Sequence, residues 1–497
     1  MTSQDRRRLI LARFGLHRRQ TVQLLMRRKM WIFGIIVLVA NIVVAVFAPV
    51  IATHDPIYET HVADDLAMPI WVTALPGLQD LPRNLFIRIG SDDWSRKVHG
   101  THVSLLRLDS GGPDLTIYYQ RSGVEGNGET ELTLRYDFGY GYGPPKTFVA
   151  LLPIGITVTK LVGVTYRFSV SITRNSDAKT FIVYDSYPPW RSSDFSRLGD
   201  NRITIHSRDP TLARRLGVSI LDRNPAEMIF SSKTDYTIGL TVSILDEGIT
   251  GDAGQVKVTM SPVSFKIPGK AYGILGTNHE GADIFSQLVY GTRVSLIVGI
   301  LSASIAVVLG VIVGVIAGYK GGPVDQAFMF LADTLIQTPT LPIIILVMLV
   351  FGRGIYMIIS ILALLSWMGL ARQLRAWVLS LKERPFVEAV RAAGGGDLYI
   401  MFKVIAPQTV PLLTYSFVLS IPGAIMTEAG LSVLGFGDPL FPSWGKVLNE
   451  AYNFGGFASM AWWWIAPPMA ALLLLALSIV FIGRTLEEVL NPRLRRR

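Results

Sequence analysis

Six long apolar stretches dominate the pattern of hydrophobic and polar positions along the 497-residue chain. A membrane-spanning helix needs about 20 mostly apolar residues to cross roughly 30 Å of hydrocarbon. The stretches of that kind are residues 31–52, 294–319, 327–351, 355–370, 412–434 and 462–482. The pattern therefore predicts six spanning helices, and the first is too long for a cleaved signal peptide.

The region 55–268 has a different pattern. Short runs such as TELTLRYDF, TYRFSVSITR, KTFIVYD and GQVKVTM alternate apolar and polar residues between turn-rich stretches. Period-two alternation with β-branched and aromatic residues is typical of half-buried antiparallel strands, and several at near-regular intervals favour a β-sandwich. We expect an inserted β-rich domain at 55–268, after a basic segment (1–30) and a first helix (31–54), and a helical core at 269–497.

The distribution of charge sets the expected topology. The net charge of the chain is +10. Clusters of arginine lie before the first apolar stretch and after the last one. Basic flanks lie on the cytoplasmic side of spanning helices, so both termini should be cytoplasmic, which six crossings allow. The loop around 386–411 then lies inside and the inserted domain outside. This placement of charge argues against nucleic acid as a partner.

The basic stretch at 6–29 also alternates apolar and basic faces at helical spacing. It is either an interfacial helix on the inner leaflet or a positively charged anchor without a further role. The chain contains no cysteine, which excludes disulfides, thiolate metal sites and cysteine nucleophiles.

The predicted cytoplasmic loop reads EAVRAAGGGDLYIMFKVIAPQTVP from Glu388 to Pro411. An apolar stripe at helical spacing predicts a short first helix. Three glycines at 394–396 should end it, since glycine tolerates the left-handed backbone of a sharp reversal. The stripe consists of Phe386, Ala389, Val390 and Ala393.

A second short helix follows the glycines. Asp397 is a candidate N-cap, Pro407 should stop the helix, and Pro411 should begin the next span. Its stripe consists of Leu398, Met401, Phe402 and Ile405. The whole predicts a stiff helix–turn–helix lying along the inner face of the membrane, suited to contact with a soluble partner.

This loop resembles the EAA coupling loop of ABC-importer permeases, which docks on the ATPase subunit. The family pattern is Glu-Ala-Ala, three residues, Gly, nine residues, then Ile-x-Leu-Pro. Glu388, Ala389, Gly394 and Pro407 match at that spacing, whereas Val390, Val404 and Ala406 are small apolar exchanges. The resemblance implies that ATPase coupling depends on these four residues and Asp397.

Further motifs resemble the C-type dipeptide/oligopeptide permeases. Residues 275–296, LGTNHEGADIFSQLVYGTRVSL, resemble a signature of that subfamily, although Ala282 and Gln287 stand where arginine is usual. Similar motifs begin with FAPVIATHDP (47–56) and continue to the closing NPRLR, so the resemblance covers about 1–56 and 270–497. The matching signature residues are Gly276, Thr277, Gly281, Asp283, Ser286, Gly291 and Arg293.

The resemblance implies an all-α permease core of the type I ABC importer fold. It also implies a heterodimer with a second permease, two ATPase subunits, an extracytoplasmic solute-binding protein and an inner-membrane location. We expect no enzyme activity and no cofactor on this chain, with ATP and Mg²⁺ on the ATPase subunits. GYGYGPPKT (139–147) is not a P-loop, because Pro145 precedes Lys146 where glycine is required.

Two ionisable residues inside predicted spans are candidates for the translocation path: Asp333 and Glu428. Hydrogen bonding between helices is the alternative that we favour. In the inserted domain, His61, His99, His102 and His206 lack the spacing of a catalytic triad. Its tyrosines are more often core residues than ligand contacts.

The sequence favours a permease for di- or oligopeptides in an ATP-driven importer. Nickel chelates or oligosaccharides are the alternative solutes, because the same architecture carries them. A membrane-anchored envelope protein acting through its β-domain is the alternative from another class. Six spans and a coupling loop exceed what an anchor needs.

Overall fold

The computed structural model describes residues 28–121, 127–159, 163–187, 189–191, 200–218, 224–248 and 254–490. The basic stretch at 6–27 and the closing NPRLR lie outside this range. The chain forms two compact units: His61–Ala282, which is the sandwich unit, and the segments before and after it, which form the helical unit.

The helical unit contains nine helices that matter for the site. They are α1 Lys29–Val46, α2 Ile284–Lys320, α3 Gly322–Gln337, α4 Thr340–Phe351, α5 Ile355–Leu381, α6 Pro385–Ala392, α7 Val410–Val433, α8 Trp444–Asn453 and α9 Trp462–Leu490. A short helix, Ala48–Ile51, follows α1.

Within the part of the chain that the structure describes, five helical stretches are long and apolar enough to cross a membrane: α1, α2, α5, α9 and the helix that contains α7. The predicted span at 327–351 is different, because α3 and α4 meet at 91° across a short break. Pro339 lies at that break, and Pro342 lies within the first turn of α4. Proline restricts its own backbone and that of the residue before it, which favours a helix boundary here. The predicted span at 327–351 is therefore a bent pair of helices instead of one straight helix.

Three helices extend well beyond their predicted ends. α2 begins at Ile284 instead of residue 294, α5 ends at Leu381 instead of residue 370, and α9 ends at Leu490 instead of residue 482. The extension of α5 carries Arg372 and Arg375, whose charges suggest a helix end when the sequence is read alone. Both are paired with aspartates of α3, so the helix continues.

α2 and α5 pack closely along a row of glycines in α2. A Cβ on Gly314 would lie 2.7 Å from the carbonyl oxygen of Ala371, and one on Gly318 would lie 2.8 Å from that of Arg375. Small residues four apart let two helix backbones approach in this way. These two glycines of α2 therefore serve helix packing.

The sandwich unit consists of two antiparallel sheets, as predicted. Its strands are β1 Leu85–Ile89, β2 Ser95–Gly100, β3 Leu106–Asp109, β4 Leu115–Arg121, β5 Gly128–Tyr140, β6 Val149–Thr159, β7 Val164–Arg174, β8 Lys179–Asp185, β9 Trp190–Arg191, β10 Asp200–His206, β11 Thr234–Asp246, β12 Gly254–Met260 and β13 Val263–Ile267. One sheet has the order β1-β13-β6-β12-β4-β3, with β10 also on β6. The other has the order β2-β5-β11-β7-β8, with β9 also on β7.

The core of the sandwich lies between the inner faces of the two sheets. β5 and β11 pair along their whole length, from Gly128 opposite Asp246 to Tyr140 opposite Thr234. The alternating residues of these strands are buried, among them Leu132, Leu134 and Leu240. Tyr119 and Tyr140 are buried in this unit as well, so the predicted core role is confirmed for these two, whereas Tyr187 is exposed.

Candidate coupling site

α6 ends in a tight reversal at Gly394, whose φ is +85°. The Gly395 N–H donates to the Val390 carbonyl at 2.9 Å, and the Gly394 N–H donates to the Arg391 carbonyl at 3.0 Å. This pair of bonds is a Schellman motif, which needs a left-handed residue at the position of Gly394. The prediction that glycine ends this helix is confirmed.

Asp397 does not cap the next helix. Gly396 occupies the N-cap position of Asp397–Tyr399, and Asp397 is the first helical residue. Its carboxylate instead accepts a hydrogen bond of 2.8 Å from the phenol of Tyr319, near the end of α2. The Arg391 guanidinium lies 6.0 Å from the centre of the Tyr319 ring. Asp397 therefore joins the coupling loop to α2, a role that local capping rules could not indicate.

Pro407 does not stop the helix. The chain stays helical from Asp397 to Val433, through a π-helical segment, Ile400–Ile405, and a 3₁₀ segment, Ala406–Thr409. Proline lacks the N–H that an α-helix requires, and the change of hydrogen-bond spacing on either side accommodates that loss. The second coupling helix is thus continuous with the span α7.

The buried face of the loop is displaced from the predicted stripes. Val387, Ile400, Met401 and Ile405 are buried, and they pack with Val315 and Tyr319 of α2 and Val378 of α5. Met401 and Ile405 confirm half of the second stripe. The buried position in α6 is Val387 instead of Phe386 or Ala389, because a helix this short has more than one apolar face.

Four of the large side chains of the loop are exposed. The exposed fraction is 41% for Phe386, 70% for Leu398, 57% for Tyr399 and 37% for Phe402. Glu388 and Ala389 are exposed on the same loop, and Glu388 lies in the first turn of α6, where an acidic side chain is favoured. The residues Phe386, Glu388, Ala389, Leu398, Tyr399 and Phe402 are called the coupling face below.

The two candidates for the translocation path have different surroundings. The Asp333 carboxylate pairs with Arg372 of α5, and a second pair joins Asp325 Oδ2 to Arg375 Nη2 at 2.5 Å. Glu428 is only 1% exposed, and its Oε1 accepts a hydrogen bond of 2.6 Å from Ser432. No donor reaches its Oε2 within residues 28–490 as far as the structure describes them. Asp333 therefore links helices, whereas Glu428 retains a free oxygen inside the bundle.

In the helical unit, the signature residues build the start of α2. Asp283 is its N-cap and accepts from the Ser286 N–H at 3.0 Å and from the Thr53 hydroxyl at 2.9 Å. The Ser286 hydroxyl accepts from the His54 N–H at 3.1 Å. These bonds fix the chain after α1 to the first turn of α2.

Two further signature residues lie on the turns that follow. Gly291 faces Trp444 of α8, and the indole N–H of Trp444 donates to the Leu288 carbonyl at 2.9 Å. The Arg293 guanidinium lies 5.9 Å from the centre of the Tyr290 ring. The structure places these residues in packing and helix capping.

In the sandwich unit, the signature residues Gly276, Thr277 and Gly281 shape a turn. The Thr277 hydroxyl is buried, donates to the Asp64 carbonyl at 2.6 Å and accepts from the Ala67 N–H at 2.8 Å. Gly276 and Gly281 have φ values of +71° and +69°, a backbone region that favours glycine.

Comparison with protein families gives two matches. Residues 310–496 match the model for the binding-protein-dependent transport system inner membrane component. Residues 18–69 match the N-terminal transmembrane domain of oligopeptide transport permease C.

Individual relatives agree with these matches. A dipeptide transport system permease of Bacillus subtilis is 35% identical over 48% of this chain and 74% of its own length. An oligopeptide transport system permease of the same organism is 33% identical over 44% and 72%. A solved inward-facing methionine ABC transporter is 20% identical, with a TM-score of 0.34 over 41% of this chain and 96% of its own. The chain belongs to the dipeptide/oligopeptide permease family of ABC transporters: it is a transport subunit, and separate ATPase subunits hydrolyse the ATP.

Proposed function

We propose that the coupling face transmits the motion of ATPase subunits into the helical unit of a peptide importer. The observation that supports this is the division of one short loop into two apolar surfaces. One surface is buried against α2 and α5, and the other, the coupling face, is exposed. An exposed apolar patch beside a charged residue is typical of a site for a protein partner.

Two rigid connections would carry the motion inward. The helix from Asp397 to Val433 joins the loop to α7 without a break. The Tyr319–Asp397 hydrogen bond and the buried contacts of Val387 join the loop to α2 and α5. A displacement of the loop then moves three spanning helices together, as alternating access between two arrangements of a bundle requires.

The proposed topology places the coupling face and both termini in the cytoplasm and the sandwich unit outside. The clusters of arginine at the two ends of the chain support this orientation. The partners would be a second permease, two ATPase subunits holding ATP and Mg²⁺, an extracytoplasmic solute-binding protein and the lipid bilayer. Membership of a binding-protein-dependent family supports this set of partners.

The proposed solutes are di- or oligopeptides, because the relatives carry those names. Within the bundle, the free oxygen of Glu428 supports a place on the translocation path. Asp333 would act instead through Arg372, by holding α3 against α5. Mass spectrometry of solutes retained by the binding protein of the complex tests the solute class. Recovery of nickel chelates or oligosaccharides alone would contradict it.

The test of ATPase docking replaces one exposed apolar residue of the coupling face by a charged residue. Leu398→Asp should prevent co-purification of the ATPase subunits and leave the amount of membrane-inserted chain unchanged. Leu440→Asp is the matched control, because Leu440 is 64% exposed and lies beyond the opposite end of α7. Full retention of the ATPase subunits by Leu398→Asp would contradict the proposal.

Two further variants test coupling instead of docking. Gly394→Pro would remove the N–H that closes the reversal, and Glu388→Lys would reverse a charge on the coupling face. Both should abolish the stimulation of ATP hydrolysis by solute-loaded binding protein. Normal stimulation in both variants would show that the loop is not the coupling element.

A further inference from the structure

A cavity of about 420 Å³ lies within the sandwich unit. Six separate segments of the unit line it, around residues 61–65, 86, 147–151, 206–208, 264–268 and 279–280. Apolar side chains such as Val149, Leu151 and Pro268 form part of the wall. The volume of this cavity, and its combination of apolar walls with a few charged groups, are typical of a pocket that binds a small molecule.

Asp64 contributes a buried carboxylate to this cavity. The residue is 3% exposed, and its Oδ1 accepts a hydrogen bond of 3.1 Å from the Asp65 N–H. Within the described part of the sandwich unit no hydrogen-bond donor reaches its Oδ2. Burial, and then the neighbouring Asp65 carboxyl, raise the pKa of Asp64 to about 7. Burying a carboxylate whose oxygen has no hydrogen-bond donor costs free energy, unless a cation or a donor binds to that oxygen.

The cation nearest to Asp64 is already engaged elsewhere. Arg208 Nη2 lies 3.1 Å from Asp65 Oδ1 but 3.9 Å from Asp64 Oδ1, which is beyond hydrogen-bond distance. Lys146 Nζ likewise lies 3.6 Å from Asp65 Oδ1. Asp65 therefore takes both of these cations, and Asp64, which is one of the residues that line the cavity, keeps an oxygen without a hydrogen-bond donor.

Lys266 contributes the opposite charge. Its ammonium is partly buried and donates to the His61 carbonyl at 2.5 Å. Among the described residues no carboxylate lies within 4 Å of its Nζ, and burial lowers its pKa. Since His61 and Asp64 are three residues apart, their backbones lie at most about 10 Å from each other. The termini of an extended dipeptide are roughly 7 Å apart by the same rule.

Simpler ligands would leave one of these groups unsatisfied. An inorganic anion would neutralise Lys266 but not Asp64. A small cation would do the reverse, and no group of three metal-ligating side chains occurs among the described residues. We propose that the cavity binds a small zwitterion, an amino acid or short peptide, with its ammonium on Asp64 and its carboxylate on Lys266. The proposal stands apart from the coupling role of the helical unit.

The binding test uses the full chain in lipid nanodiscs without ATPase subunits. Calorimetry with the dipeptide dialanine should show saturable binding, and alanine tests whether one residue suffices. N-acetyl-dialanine and dialanine amide each lack one charged terminus, and each should bind at least tenfold more weakly than dialanine. Absence of binding by both alanine and dialanine, or equal binding of the capped and free peptides, would overturn the proposal.

Variants assign the binding to this cavity. Asp64→Asn and Lys266→Gln should each weaken dialanine binding at least tenfold. Asp235→Asn and Lys257→Gln are matched controls on exposed positions of the same unit, and they should bind as the wild type does. Unchanged binding in both cavity variants would overturn the assignment. The comparison of capped and free peptides uses the wild-type chain. It therefore tests the proposal even if one of the variants fails to fold.

Discussion

The phenol of Tyr319 donates a 2.8 Å hydrogen bond to the carboxylate of Asp397, and this bond joins the last turn of α2 to the coupling loop. The loop carries the exposed coupling face, and α2 packs along α5. The bond thus lies between the proposed docking surface and the spanning helices.

Tyr319→Phe removes the donor and leaves the ring in place. We expect ATPase subunits to co-purify normally, while stimulation of ATP hydrolysis by solute-loaded binding protein falls several-fold. A hydrogen bond to a charged group contributes about 1.5–3 kcal/mol, which is enough to change the population of a two-state element. Tyr356→Phe is the control, since Tyr356 is exposed. Unchanged stimulation in Tyr319→Phe would contradict the role of this bond.

Gly314→Ala should destabilise the helical unit. The added Cβ would lie 2.7 Å from the Ala371 carbonyl oxygen, a distance that forces the two backbones apart. Overpacking of this kind costs about 1–3 kcal/mol. The measurement is the thermal aggregation temperature of the solubilised chain. Gly369→Ala on α5 is the control, because a Cβ there meets nothing within 4 Å. Equal temperatures for the two variants would contradict the close packing.

The ion pair between Asp325 and Arg375 should respond to charge exchange. Asp325→Arg alone places two like charges between α3 and α5, and we expect a loss of folded chain in the membrane. The double variant Asp325→Arg, Arg375→Asp should recover part of that loss. The pair Arg28–Glu488 is exposed, so its exchange should have little effect. Failure of the double variant to exceed the single one would argue against direct pairing.

Binding of dialanine to the cavity should strengthen as the pH rises from about 6 to 7, because the ligand's own ammonium begins to lose its proton above that range. The ligand ammonium favours the ionised form of Asp64, whose pKa is raised to about 7, so binding releases a proton in this range. Calorimetry in two buffers of different ionisation enthalpy measures that proton. Asp64→Asn should remove the release, and affinity that falls with rising pH would contradict the assignment.

Other charged groups around the cavity bear on the same measurement. They are Asp65, Lys146, Arg208, Lys266, Glu280, His61, His206 and His279. Burial lowers the pKa of His206 and of His279. The pKa of Asp65 is lowered, because the Asp64 side chain, Lys146 and Arg208 outweigh its burial, so it stays ionised. Loss of the proton release in Asp64→Asn is therefore the result that assigns the proton to Asp64 instead of a histidine.

The sequence predicts most of the fold because the period of its apolar residues is a local property. The spans and the antiparallel strands follow from that period, and the turn at Gly394 follows from the glycine preference for left-handed backbone. The end of α5 could not be predicted, because Arg372 and Arg375 are neutralised by aspartates 39 and 50 residues away. The same limit applies to the partner of Asp397 and to the cavity, which depend on contacts between distant segments.

The candidate site is predicted in position but not in orientation. Two apolar faces in one short loop look alike in sequence, and only the packing of Val387 and Ile400 separates the buried face from the exposed one. The substituted positions Val404 and Ala406 are partly buried within the continuous helix, so they do not contribute to the exposed surface.

The unbroken helix from Asp397 to Val433 has a mechanical consequence. Its 37 residues amount to about 55 Å of helix at 1.5 Å per residue. A tilt of roughly 5° about the end at the coupling loop displaces the far end by about 5 Å, given that length. Since Glu428 lies near the far end, small movements of the coupling loop would be enlarged around Glu428.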